Sequence, residues 1–114
     1  MSYKELIDFE KRKSESTRIR RKHPDRIPVI VDKSRDCSLP TIDKQKFLVP
    51  QDMTLGQFIY IIRKRIKLES SEALFVMVNN NLMTSTLQLC EIYDNQKDED
   101  GFLYIVYTSE NTFG

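Results

Sequence analysis

The residues able to act as nucleophiles or proton carriers are few and scattered. The chain has two cysteines, Cys37 and Cys90, and a single histidine, His23. A reactive thiolate needs a positioned base, and His23 lies close in sequence to neither cysteine. The cysteines share no close spacing with each other and no metal-ligand pattern, so they read as free thiols and no metal site is expected. The three glycines, Gly56, Gly101 and Gly114, are too far apart to form a phosphate-cradling loop. Asp98, Glu99 and Asp100 read as a solvated turn rather than a catalytic pair. An enzyme is therefore the least expected reading. What remains is the last residue. Glycine has no Cβ to obstruct attack on a thioester or amide made through its carboxylate, and 109–114 carries no packing signal. Gly114 is thus suited to ligation, although with glycine near 7% of residues in general its presence alone says little.

The 114 residues amount to one domain, large enough for a single core without metal or disulfide. Hydrophobic residues make up 39% and charged residues 31%, the balance of a globular chain. No apolar run approaches the roughly 20 residues that span a bilayer, and 1–10 lacks the apolar stretch of a signal peptide. A cytosolic or nuclear location is expected, with any membrane attachment added afterwards. Net charge is +1 but unevenly spread. Basic residues dominate from Glu10 to Arg26 and acids from Glu91 to Glu110, a polarity that could steer partners or mark two solvated faces.

Elements to position these residues follow from periodicity. Leu6 to Lys22 has helical composition and must stop before Pro24; with so few apolar residues it should lie outside a core formed elsewhere. Ile27 to Val31 is a short apolar run suited to a strand covered on both faces. Lys46 to Val49, stopped by Pro50, suits a second strand paired to the first as a hairpin. Thr54 and Gln57 form a capping box for a helix whose Leu55, Phe58, Ile59, Ile62 and Ile66 share one face. Leu74 to Val78 is a third strand ended by an Asn79-Asn80-Asn81 turn. Ser85 and Gln88 offer a cap for a short helix carrying Leu89, Ile92 and Tyr93. Phe102 to Tyr107 is the last strand. This order predicts an α+β roll, a four-stranded mixed sheet with one crossing helix, divided as an arm over 1–24, a domain over 25–108 and a tail over 109–114.

Several blocks now carry a resemblance: Phe9-Glu10-Lys11-Arg12, Pro24-Asp25-Arg26-Ile27-Pro28-Val29-Ile30, Asp43-Lys44-Gln45-Lys46-Phe47-Leu48-Val49-Pro50, Ile62-Arg63-Lys64-Arg65, and Lys97-Asp98-Glu99-Asp100-Gly101-Phe102-Leu103-Tyr104, with a close on Glu110-Asn111-Thr112-Phe113-Gly114. In this order they resemble the autophagy ubiquitin-like modifiers, the family of microtubule-associated light chain 3 and the GABA-A-receptor-associated protein. The resemblance implies a ubiquitin-like β-grasp preceded by two N-terminal helices. It implies activation by E1-like and E2-like enzymes, exposure of the glycine by an autophagy cysteine protease, and a covalent phosphatidylethanolamine on Gly114 in place of any cofactor. It further implies a monomer moving from cytoplasm to autophagosome membrane, where it recruits receptors bearing an aromatic-x-x-aliphatic motif. Asp8, Met77 and Met83-Thr84 depart from the common pattern, in which the positions of Asp8 and Met83-Thr84 often hold proline and that of Met77 phenylalanine.

The residues can be matched to that work. Along a strand Lys46 and Leu48 share one face, and Phe47 and Val49 the other. An exposed edge there could accept an added peptide strand, whose aromatic and aliphatic residues would need a hollow on each side. By resemblance the first hollow is lined by Glu15, Ile19, Pro28, Ile30, Lys46, Leu48 and Phe102. The second is lined by Phe47, Val49, Pro50, Met53, Phe58 and Ile61, and Lys44, Lys46 and Arg65 could pair with acids flanking the motif. Each apolar member taken singly is better read as core; only the set as a whole, matched in spacing and family blocks, favours a binding surface. Two alternatives stay open: a peptide-binding adaptor of the same fold without conjugation, and a basic arm facing tubulin or anionic membrane. Nucleic acid is not expected, since no aromatics interleave with the basic residues.

Overall fold

A computed structural model describes residues 2–109. Its elements are α1 (Tyr3–Leu6), α2 (Phe9–Lys22), β1 (Arg26–Lys33), β2 (Lys46–Pro50), α3 (Leu55–Arg65), β3 (Phe75–Val78), β4 (Asn81–Leu82), α4 (Leu89–Gln96) and β5 (Leu103–Thr108). The strands form one mixed sheet in the order β2-β1-β5-β3-β4. β1 pairs antiparallel with β2 and parallel with β5, and β3 runs antiparallel to both β5 and β4.

Each face of the sheet is covered because β1 and β5 are apolar on both sides. Ile27, Val29 and Val31 join Leu103, Ile105 and Tyr107 beneath the buried stripe of α3, formed by Leu55, Phe58 and Ile62. The intervening Ile30 faces the other way, with Phe102 and Tyr3, toward the arm. Burying a large apolar side chain contributes about 1.5–3 kcal/mol, so the α3 side, with the larger cluster, supplies most of the driving force. Its capping box forms as the sequence predicts, Thr54 Oγ1 accepting from the Gln57 N–H and the Gln57 side chain from the Thr54 N–H.

Five expectations are corrected. The arm is two helices, as the resemblance implies, and the helical stretch read from composition over Leu6 to Lys22 is broken at Ile7 and Asp8; Asp8 has extended backbone and its carboxylate accepts from the Lys11 N–H, capping α2. The sheet has a fifth strand, β4, two residues long. Asn79 and Asn80 both take left-handed φ, 51° and 64°, between the paired Val78 and Asn81. That is a two-residue hairpin turn, which asparagine tolerates, so Asn81 is strand rather than turn. The short helix starts later than Ser85: Gln88 is its N-cap, with Glu91 accepting from the Gln88 N–H. Finally, Asp98 to Asp100 is no solvated turn, because Asp100 is fully buried.

Asp100 explains how so polar a helix is held. Its Oδ2 meets Arg12 Nη1 at 2.6 Å and accepts from the Tyr104 hydroxyl, while its Oδ1 accepts from the Phe102 N–H at 2.8 Å. Its carbonyl accepts from Ser16 Oγ. Arg12 and Ser16 are the buried residues of α2, so the arm is seated by polar contacts around a small apolar patch. Burial and the Asp100 carboxylate push the Tyr104 phenol far above its usual range. Gly101, with φ +91°, is needed where the turn passes under Ser16; a Cβ there would collide with the Ser16 side chain.

Candidate functional site

Among the described residues β2 has one strand neighbour, β1, and its other margin is bare. The register decides which backbone groups lie on that margin. Val31 N–H donates to the Gln45 carbonyl and Gln51 N–H to the Asp25 carbonyl. In an antiparallel pair hydrogen-bonded partners alternate, so Val29 with Phe47 and Ile27 with Val49 exchange bonds. Lys46 and Leu48, paired with Ile30 and Pro28, therefore point their N–H and C=O outward. The prolines fit this pattern. Pro28 stands where no bond crosses to β2, and Pro50 stands where the missing N–H would face outward.

On the arm's side of this margin lie the residues expected to line the first hollow. Leu48 is 37% exposed, Lys46 pairs with Glu15 of α2, and Ile19 packs against the Ile30–Phe102 cluster. Ile30 and Phe102 are wholly buried, forming floor rather than open wall. Pro28 is buried beside them. Tyr3 and Tyr104 complete the floor, Phe102 meeting each edge-to-face with ring centroids 5.9 and 6.5 Å away. Neither tyrosine was singled out from sequence, although an aromatic just ahead of a polar helix is a usable signal.

On the α3 side the second set is also brought together. Phe58 is fully buried and Phe47 and Val49 nearly so. Phe47 and Phe58 meet edge-to-face at 5.4 Å. Met53 and Ile61 are half-buried against this core, and Pro50 is exposed. Thus Pro50, Met53 and Ile61 offer surface, whereas Phe47, Val49 and Phe58 hold the core. Lys44 Nζ and Arg65 Cζ lie 5.0 and 5.4 Å from the Phe47 ring centroid, and Arg65 also pairs with Asp43 at 3.2 Å. Lys44 and Arg65 therefore stand over the Phe47 ring, and Lys46 and Arg65 are already engaged by acids of the chain itself.

Away from this margin, Asp32 accepts from the Tyr3 N–H and from the Gln45 side chain, tying α1 to the β1–β2 loop. Burial pushes its carboxyl above the usual range despite these bonds. Cys37 is buried and Cys90 half-buried. Among the described residues no group of three or more histidines, cysteines or acids is placed to hold a metal, and no helix is long and apolar enough to cross a membrane. Gly114 lies outside the described residues.

A sheet grasping one long helix, with its second strand at the margin, defines a ubiquitin-like protein, here with a two-helix arm at the front. The family described as autophagy protein Atg8, ubiquitin-like, matches residues 11–114, and this chain belongs to it. It is 58% identical over 107 residues to autophagy-related protein 8e of Arabidopsis thaliana, covering 94% of this chain and 88% of that protein. To autophagy-related protein 8 of Mycosarcoma maydis it is 54% identical over 113 residues, covering 99% and 96%. The crystal structure of Trypanosoma brucei ATG8 superposes with a TM-score of 0.90 at 46% identity, covering 100% of this chain and 98% of that one.

Proposed function

We propose that this protein is a non-enzymatic modifier of autophagy, joined through Gly114 to phosphatidylethanolamine and recruiting receptors at the bare margin of β2. E1-like and E2-like enzymes would carry the Gly114 carboxyl as a thioester. The ethanolamine amine attacks that carbonyl, the enzyme's thiol leaves, and an amide forms. The product sits on the autophagosome membrane, the free chain in the cytoplasm.

The observation that supports recruitment is the outward pair of backbone groups at Lys46 and Leu48 on a strand with one neighbour. An extended peptide could bond to both residues as an added strand. Its side chains would then alternate between the two faces of the sheet, an aromatic toward Leu48 and Ile19 and an aliphatic group three positions later toward Met53 and Ile61. Receptors with an aromatic-x-x-aliphatic motif have that spacing.

Titration of the 15N-labelled protein with such a peptide tests the docking half. Shifts concentrated on Lys46, Leu48 and Ile19 support it; shifts confined to the far margin, β4, overturn it. For the conjugation half, wild-type chain and Gly114→Ala are recovered from cells and analysed by mass spectrometry. A lipid-bearing C-terminus in the first and none in the second is expected. Equal membrane recovery of both would instead favour the unconjugated adaptor.

A further inference from the structure

A second cleft, of about 620 Å³, opens on the flank of α2 away from β2, between that helix and the stretch joining α4 to β5. Its lining is cationic on both walls. Lys13, Arg20 and Arg21 come from one side of α2, and Lys97 stands opposite, just past the end of α4. Arg20 is held rigid: Nη1 donates to the Pro24 and Arg26 carbonyls at 3.1 and 2.7 Å, and Cζ lies 5.2 Å from the Tyr93 ring centroid. Lys97 Nζ shares the same ring at 5.3 Å. Like charges are thus drawn together over one aromatic, and among the described residues neither Arg21 nor Lys97 has an ion-pair partner. Arg20 keeps Nε and Nη2 without a hydrogen bond among the described residues. A fixed guanidinium with spare donors beside two unpaired cations is the arrangement that favours phosphate oxygens.

Size and borders narrow the ligand. Lys13 to Arg21 covers about 12 Å of helix at 1.5 Å per residue, farther than a single phosphate can bridge. At the turn, Asp98 and Glu99 close the cleft with carboxylates. Asp98 is neutralised by Lys4 at 2.6 Å, but Glu99 is exposed and would repel a polyanion continuing past it. We infer that this cleft binds a compact polyanion, a polyol ring bearing several phosphates, with Arg20 as the fixed contact and Arg21 and Lys97 closing on it. The ring could be a free inositol polyphosphate or the headgroup of a phosphoinositide.

Calorimetric titration with inositol hexakisphosphate tests this on the full chain. One ligand per chain is expected, weakened at least about tenfold by either Arg21→Glu or Lys97→Glu. Arg18→Glu, on the outer side of α2, should change little, and all three variants should melt with the wild type. Equal weakening by Arg18→Glu, or several ligands per chain, would reduce the effect to a diffuse basic arm and overturn the site. Inorganic phosphate competing at equal concentration would overturn the polyanion assignment. Vesicles distinguish the two sources: Lys97-dependent binding to phosphatidylcholine vesicles carrying a bisphosphorylated phosphoinositide assigns the headgroup, whereas soluble binding alone assigns the free ligand. Equal binding to charge-matched phosphatidylserine vesicles would refute both.

Discussion

Arg12 and Asp100 lie 88 positions apart in sequence, yet a guanidinium nitrogen and a carboxylate oxygen meet at 2.6 Å inside the protein. This pair seats α2 on the start of β5, and with it Ile19 and Glu15 on the arm's side of the β2 margin. The arm's position therefore involves a buried charge pair as well as the apolar cluster around Ile30 and Phe102. Removing one partner leaves the other buried and uncompensated, which costs about 3–5 kcal/mol. Asp100→Ala should lose that much by urea denaturation, and amide exchange along α2 should accelerate more than along α3. Because the first hollow depends on α2, peptide affinity should fall as well, although Asp100 lies under the arm and not at the margin.

Gly101 sets the turn that brings Asp100 under Ser16. With φ at +91° and the Ser16 side chain in the way of a Cβ, Gly101→Ala is strained twice. A loss of about 1–3 kcal/mol is expected from the backbone conformation alone. Ser16→Ala removes the nearest atom while giving up its hydrogen bond to the Asp100 carbonyl. The double variant should therefore be less destabilised than the sum of the singles, a coupling that thermal or urea unfolding of all four proteins would measure.

What was legible in the sequence had a period or a local signature. Leu55, Phe58, Ile62 and Ile66 announce α3 by spacing, and Thr54 with Gln57 announces its start. Both are short-range facts, and both hold. The seat of α2 was not legible, because Arg12, Ser16 and Asp100 are polar and meet across nearly the whole chain; no window of sequence contains the contact. β4 escaped notice because two residues carry no alternation. In the candidate site, Leu48 and Lys46 could be placed on one face from alternation alone, but neither the strand's place at the margin nor exposure could be assigned. Ile30, Phe102 and Phe58 have the same composition signal as surface pocket residues and are fully buried.

Asp32 provides a pH prediction. Burial raises its folded-state carboxyl above the unfolded value of about 3.9. The folded protein then holds that proton more tightly than the unfolded chain, so this group adds stability as pH falls through the raised value and subtracts it at neutral pH. Asp32→Asn keeps an oxygen that can accept from the Tyr3 N–H and the Gln45 amide. It should be more stable than wild type at pH 7, with the difference shrinking toward pH 3. Denaturant midpoints across that range would check the sign.

The outward groups of β2 can be tested by where proline is tolerated. At position 48 the backbone N–H points to solvent, so Leu48→Pro should leave the β1–β2 ladder intact and the fold largely stable. At position 49 the N–H bonds to Ile27, and the side chain is buried, so Val49→Pro should destabilise strongly. For an aromatic-x-x-aliphatic peptide, Leu48→Ala should weaken binding by a few kcal/mol at most, through the hollow alone. Leu48→Pro should weaken it further, because it also deletes a donor that the added strand would use. Fluorescence-anisotropy titrations of the three proteins separate side-chain from backbone contributions. If Leu48→Pro binds as well as Leu48→Ala, the peptide does not pair with that strand and docking must rest on side chains alone.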